Sequence, residues 1–233
     1  MRHASKKASS PHRAEHIPAP AVKRLSLYLR ELETHLSSGS RTISSRRLGE
    51  ALGLTDAQVR KDLAYFGQFG QPGIGYDVPQ LSAAIRHILG TDRDWNVVLV
   101  GAGNLGSALA AYRGFARKGF HLVAIFDSDE RKWGQPVPGL KDVPVLPVAD
   151  LERVVRQYDV RLGIMAVPAA SAQEVADRLI SAGVRGLLNF APTALSCPDH
   201  VAVSAVDMAV QLEQLSFQLG QLGLLQQRSR RPG

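Results

Sequence analysis

The chain has 233 residues, 45% of them hydrophobic, and carries 28 Lys and Arg against 21 Asp and Glu for a net charge of +7. That length holds one large domain or two small ones. No apolar run reaches the roughly 20 residues that cross a bilayer, and the charged N-terminus lacks the apolar core of a secretory signal. The single cysteine, Cys197, excludes an internal disulfide framework, and nothing in the sequence pairs it with the other ligands of a structural zinc site. It reads as a small buried apolar residue in a cytoplasmic protein, with no metal expected.

The charge is unevenly spread. Residues 1–90 hold 13 Lys and Arg against 7 Asp and Glu, whereas residues 91–233 hold 15 against 14, three of the 15 being Arg228, Arg230 and Arg231 near the end. A basic first third suits a solvated face or a polyanion-binding module. Residues 1–19, rich in Ser, His, Lys and Pro, read as a disordered basic arm.

From Ala21 the pattern changes: Leu25, Leu29, Leu32 and Leu36 recur at helical spacing, ending near Ser37-Ser38-Gly39. Ser44 or Ser45 can cap a second helix bearing Leu48, Ala51 and Leu52, which stops at Gly53. Thr55 and Gln58 then form a capping box for a third helix that buries Val59, Leu63 and Phe66 and leaves Gln58, Arg60, Lys61 and Tyr65 outside. Two short helices joined by a tight turn make a helix-turn-helix pattern. The glycine-rich stretch 67–76 suits a tight hairpin, the wing of a winged-helix domain. In a DNA-binding reading Gln58, Arg60 and Lys61 enter the major groove. Arg46 and Arg47 with neighbouring Ser44 and Ser45, and Gly73 and Tyr76 of the wing, meet the phosphate backbone. The other reading is a generic helical accessory domain. A further helix over 81–89 ends at Gly90, and Thr91–Asp94 reads as the domain boundary.

The second half opens on an apolar strand, Val97–Val100, followed by Gly101-Ala102-Gly103-Asn104-Leu105-Gly106. A G-x-G-x-x-G between strand and helix is the dinucleotide-binding fingerprint of a Rossmann domain: its glycines allow the tight turn, the approach of a pyrophosphate, and close helix–strand packing. The helix carries Leu105, Ala108, Leu109 and Tyr112 on one face and is expected to run to about Lys118. A second strand, Leu122–Phe126, ends in Asp127, placed to accept from ribose hydroxyls and repel a 2′-phosphate. Asp127 therefore favours NAD over NADP, although Arg131 and Lys132 stand close by. Residues 134–148, with four prolines, read as a connector with one short extended piece. A strand over 161–167 ends at Pro168; a helix over 171–182 and a strand over 186–190 follow. A last helix from Ser204 or Ala205 is apolar almost all round, which suits burial in a partner subunit.

No substrate domain follows the sheet, and neither His121 nor His200 pairs with a carboxylate at a strand C-terminus. The residues thus favour binding without turnover, with no catalytic residue assigned. A small NAD-dependent oxidoreductase with a helical accessory domain is the enzyme-class alternative, and a CoA-type nucleotide-binding protein a third.

RLSLYLRELE (24–33), VRKDLAYFG (59–67), GIGYDV (73–78), VGAGNLGSALA (100–110), IFDSDERKWG (125–134), MAVPAA (165–170), LNFAP (188–192) and AVDMAVQLEQLSFQL (205–219) occur in this order. In these motifs the sequence resembles the Rex family of redox-sensing transcriptional repressors, from about Pro20 to about Leu224. The resemblance implies an N-terminal winged helix-turn-helix domain (20–90), a Rossmann NAD(H)-binding domain (91–203), a C-terminal domain-swapped dimerisation helix (204–226) and a basic tail (227–233). It implies a homodimer on palindromic double-stranded operator DNA, released when NADH binds and compatible with NAD+. By the same resemblance Gly101 to Gly106 line the pyrophosphate, Asp127 and Lys132 lie near the adenosine, and Val167, Pro168, Asn189, Phe190 and Ala191 lie towards the nicotinamide. Arg30, Tyr112 and Asp207 take signalling roles; from the residues alone they read as two surface charges and, at Tyr112, a core aromatic.

Overall fold

The computed structural model describes residues 17–229 apart from Pro72 and Pro138, and only the backbone of Lys141, Asp142 and residues 222–229. Residues 1–16 of the expected arm and 230–233 of the expected tail lie outside the described residues. The chain divides into two compact units between Arg93 and Asp94.

The first unit is built on α1 (Ala19–Ser37), whose Ala21, Leu25, Tyr28, Leu29 and Leu32 form the buried stripe that the leucine spacing predicts. A two-residue strand β1 (Thr42–Ile43) leads into α2 (Ser45–Leu52). Ser44, not Ser45, is its N-cap, accepting from the Arg47 N–H at 3.1 Å. Gly53 closes α2 in the left-handed region (φ 66°), where a glycine carries no Cβ penalty. A Cβ at Gly49 would sit 2.6 Å from the Leu54 carbonyl, so the turn between the helices closes on bare backbone. Helix α3 (Asp56–Ala64) is capped by Thr55, which accepts from the Gln58 N–H at 3.1 Å. Only this half of the capping box forms, because the Gln58 side chain turns to Asp62.

The wing differs from the expected hairpin. A lone bridge joins Gln71 and Gly75, and β2 (Tyr76–Asp77) pairs antiparallel with β1 rather than with the start of the wing. With four glycines between 67 and 75 and few side chains to pair across strands, a longer ladder has little to hold it. Helix α4 (Val78–Ile88), capped by Asp77, completes a core that includes Leu25, Leu48, Val59, Leu63 and Ile85.

The second unit is a seven-stranded sheet. Its strands are β3 (Trp95–Val100), β4 (Phe120–Asp127), β5 (Pro136–Val137), β6 (Leu140–Pro147), β7 (Leu162–Met165), β8 (Gly186–Asn189) and β9 (Ala202–Ala205). They lie in the order β5-β6-β4-β3-β7-β8-β9, all parallel except β5. The six parallel strands thus run 3-2-1-4-5-6, the doubly wound order that places a switch point between β3 and β7. Strand β3 sends Val98 and Val100 into one core, with Leu151, Ala176 and Leu179 of α7 (Leu151–Gln157) and α8 (Ala169–Ala182). Its Val97 and Leu99 join Ile125 and Ile164 on the other face, where α5 (Asn104–Ala110) and α6 (Gly114–Arg117) lie in sequence between β3 and β4.

Four expectations are corrected here. The helix after the glycine turn ends at Ala110 instead of continuing to Lys118, and the chain bends so that Tyr112 lies over Gly114, where any Cβ would collide with its ring. The proline-rich connector contains two strands. Only Val145–Pro147 of β6 pair with β4, so Pro144 needs no ladder donor on that side. Helix α7 fills a span to which the sequence pattern assigns no element, although Leu151, Val154 and Val155 show its buried spacing. Finally, residues 202–205 form β9, and the last helix, α9, begins at Met208 and runs to Ser229.

Candidate functional site

The glycine turn occupies the C-terminal end of β3. Gly101 is left-handed (φ 101°), and a Cβ there would collide with the Ala166 carbonyl at the end of β7. A Cβ at Gly106 would collide with the Gly101 carbonyl, so α5 meets the strand backbone directly. Gly103 differs: a Cβ there meets nothing within 4 Å. It is the N-cap of α5 and has no side chain to occupy the N–H groups of the first turn, donors of the kind that bind an anion.

Asp127 ends β4 beside this turn and is 8% exposed. Its Oδ2 accepts from the Ala102 N–H at 2.7 Å and the Lys132 ammonium at 2.9 Å, and its Oδ1 from the Asp129 N–H at 2.8 Å. Burial pushes its pKa up, but the Asp129 N–H, Lys132 and the Ala102 N–H outweigh that and hold the carboxyl below the usual range. Trp133 Nε1 donates to the Asp127 carbonyl at 2.8 Å and pins the following loop.

Turn and carboxylate border a cleft of about 770 Å³ at the carboxyl ends of β3, β4 and β7. Of the residues expected there, Gly101, Gly103, Asn104, Leu105, Asp127, Lys132, Val167 and Pro168 line it. Ala102 and Gly106 are buried within the turn. Asn189, Phe190 and Ala191 are not among the lining residues. Asn189 is 1% exposed and ties its own loop, accepting from the Ala191 N–H at 2.9 Å and donating to the Thr193 carbonyl at 3.0 Å. The sequence reading missed Ser128, Asp129, Val148, Ser171, Glu174, Val175 and Arg178, which also line the cleft. Four of them fall at i, i+3, i+4 and i+7 along α8, a spacing that marks one face of the helix opening at Pro168. Arg178 is held by Glu152 (2.8 and 2.9 Å) and by the Val148 carbonyl at 2.8 Å.

In the first unit Arg46, Arg47, Arg60, Lys61 and Gly73 are exposed, and Gln58 is half-buried against Asp62. Arg60 donates to Asp56 at 2.7 Å and to Ser45 at 3.1 Å, linking the starts of α2 and α3. Tyr76 is corrected: it is 6% exposed and belongs to the core, with its ring lying where a Cβ at Gly70 would be, so it supports the wing from beneath. Of the residues expected to take signalling roles, Arg30 is exposed on α1. Tyr112, expected in the core, is 59% exposed, edge-on to Phe115 at 5.1 Å between centroids. Asp207 caps α9, accepting from the N–H groups of Ala209 and Val210 at 2.9 and 3.2 Å.

Family models match on either side of the division between the units. "Putative DNA-binding protein N-terminus" covers residues 16–64 and "CoA binding domain" residues 92–193. The redox-sensing transcriptional repressor Rex of Carboxydothermus hydrogenoformans is 52% identical over 203 residues, 87% of this chain and 96% of its own length. That of Streptomyces avermitilis is 45% identical over 88% of this chain and 80% of its own. The chain belongs to the Rex family of redox-sensing transcriptional repressors. Two solved structures of RSP share its fold at 36% identity. The complex with beta-NAD+ and operator DNA has a TM-score of 0.84, covering 94% of this chain and 100% of that one; the complex with beta-NADH has a TM-score of 0.81, covering 91% and 99%. Rex-family relatives are named as repressors, so the chain is a regulator, and the oxidoreductase alternative is set aside. For a Rex-family chain the two halves of the fold acquire distinct tasks: an α/β unit with a dinucleotide crevice and a winged-helix unit with a basic surface.

Proposed function

We propose that this chain is a cytoplasmic redox sensor that represses transcription as a homodimer: it binds operator DNA through residues 20–90 and leaves it when NADH occupies the cleft of residues 91–203. The observation that carries this is the cleft itself: a turn that leaves room for a pyrophosphate only at Gly103, beside a buried ionised Asp127 suited to ribose hydroxyls. Its partner fact is the related RSP, solved with NAD+ and operator DNA and with NADH. Gly101 to Gly106, Asp127 and Lys132 would hold the adenosine diphosphate portion, and Val167 and Pro168 the far end, with Asn189, Phe190 and Ala191 shaping the adjoining loop. Gln58, Arg60 and Lys61 would face the major groove and Ser44, Ser45, Arg46, Arg47 and Gly73 the phosphates, with Tyr76 bracing the wing. The two redox forms differ by a positive charge on the nicotinamide ring, enough chemical difference for one pocket to favour distinct dimer arrangements.

The homodimer reading draws on two apolar surfaces. Helix α9 exposes Leu212, Leu215, Phe217 and Leu219, and the sheet face bearing Val97, Leu122, Ile164 and Leu188 carries an apolar groove of about 350 Å³. Exchange of α9 between subunits would bury both, with Arg30, Tyr112 and Asp207 carrying the signal. The test is a gel shift on a palindromic operator with NADH and NAD+ titrated separately. NADH should dissociate the complex while NAD+ leaves it intact; an unaffected complex at saturating NADH ends the proposal. Coenzyme A, tested in competition with NADH because of the second unit's family match, should displace it poorly.

A further inference from the structure

We propose that the buried carboxylate of Asp62 decides which base α3 reads, by holding the Gln58 amide with its oxygen outward, as an acceptor for the 6-amino group of an adenine. The inference rests on the DNA-binding reading above and deepens it.

Asp62 lies on the inner side of α3 with its side chain 1% exposed. Two residues of α1 and one of α3 donate to it. Arg24 binds it in bidentate fashion through Nε on Oδ2 and Nη2 on Oδ1, the latter at 2.8 Å. The Tyr28 hydroxyl donates to Oδ2 at 2.7 Å, and Gln58 Nε2 donates to Oδ1 at 2.8 Å. A carboxylate clamped by a guanidinium is ionised and can only accept. The two ends of an amide are otherwise easily interchanged, but here only the NH₂ end can face Asp62. Gln58 Oε1 therefore points away from the network and has no partner among the described residues, and one N–H of Nε2 remains beside it.

Gln58 stands in the first turn of α3, the part of a helix-turn-helix recognition helix that reaches base edges. An acceptor next to a donor matches the 6-amino group and N7 that adenine presents in the major groove. Guanine presents two acceptors there and would set O6 against Oε1. Cytosine offers an amino group but no acceptor for the remaining N–H. The arrangement thus selects adenine. Asp62 is a positioning residue, since it touches no base.

The experiment enriches binding sites from a randomised duplex pool with wild type, Gln58→Ala and Asp62→Asn, then measures affinities by fluorescence anisotropy at one fixed salt concentration. Wild type should require adenine at one position of each half-site, and Gln58→Ala should lose that requirement while the other positions stay as they were. Replacing that adenine by purine, which lacks the 6-amino group, should weaken wild type on the order of tenfold and Gln58→Ala by less than about twofold. The amide introduced by Asp62→Asn can donate to Gln58 Oε1 and turn the glutamine amide round. That variant should then shift the preference from adenine towards guanine, whereas an unchanged adenine requirement overturns the role of Asp62. Gln58→Ala and the purine operator leave the buried pair intact, so they decide the readout even if Asp62→Asn does not fold. A uniform loss of affinity in Gln58→Ala, with every base preference retained, overturns the inference. Enrichment of no site by wild type overturns the DNA-binding reading along with it.

Discussion

A methyl group added at Gly103 points into the cleft, whereas the same methyl at Gly101 or Gly106 runs into backbone oxygen. The three glycines of one motif therefore separate folding from ligand approach. Gly103→Ala should keep the fold, costing less than about 1 kcal/mol as a change of N-cap residue, yet lower NADH affinity at least about tenfold because the methyl stands where a pyrophosphate would pass. Thermal melting and NADH fluorescence titration check the two halves; unimpaired NADH binding would remove the turn from the site. Asp127→Ala addresses the other end. The carboxylate accepts two hydrogen bonds on Oδ2 and one on Oδ1, which leaves Oδ1 a lone pair for a ribose hydroxyl. Its loss should reduce the preference for NADH over NADPH roughly tenfold, since the repulsion of a 2′-phosphate goes with it. An unaltered ratio in paired titrations would strip Asp127 of that role. These residues were legible because glycine spacing and a terminal acid state a chemistry directly. Arg178 and Glu174 were not, because their place in the cleft depends on where α8 lies after folding.

At the level of elements, the parts that could be read were those whose signal is local. The leucines of α1, the Thr55 cap of α3 and the apolar run of β3 each announce themselves within a dozen residues. Strand β9 shows no such signal: Ala202–Ala205 is exposed at every residue and exists by pairing with β8. Strand β6 likewise hides behind its prolines: Pro144 falls before pairing with β4 begins, and Pro147 is the last residue of the strand. Tyr112 misled in the opposite sense, because an aromatic at helical spacing looks like core until the helix stops short of it. What ties elements together was equally invisible from spacing: α1 and α3 are joined by Arg24, Tyr28 and Asp62 around one buried charge. Removing one partner of a buried pair leaves the other uncompensated, so Arg24→Met should destabilise the protein by about 3 kcal/mol at neutral pH in urea unfolding. Burial pushes the Asp62 carboxyl up, but the donors from Arg24, Tyr28 and Gln58 hold it below its ordinary value. A depressed folded value stabilises above the unfolded pKa of about 3.9 and loses that contribution as pH falls through the lower folded value. The gap between wild type and Arg24→Met should therefore narrow below about pH 4. A gap that stays constant down to about pH 3, well into that window, would mean the pair is held by packing rather than charge.

For the whole molecule the question is how one ligand can remove the protein from DNA. A dimer that places two recognition helices on two half-sites depends on the distance between them, about one helical turn of DNA or a multiple. Breaking the dimer should then do two separable things. Phe217→Glu with Leu219→Glu puts one charge on each of two opposite, exposed apolar faces of α9 and should yield a monomer by analytical ultracentrifugation. Glycine turn and Asp127 both belong to the strand ends of a single chain, so NADH should still bind. Operator affinity should fall at least about a hundredfold, because the second half-site no longer benefits from tethering to the first. The decisive quantity is the coupling. If NADH and operator select different dimer arrangements, saturating NADH lowers operator affinity by a factor that must equal the factor by which operator lowers NADH affinity. Calorimetric NADH titrations with and without operator, set beside operator titrations with and without NADH, give both factors. They should agree in wild type and fall towards one in the double variant, which has no arrangement left to choose. A variant that is monomeric yet still loses its half-site affinity to NADH would locate the switch within one subunit and take the dimer out of the mechanism.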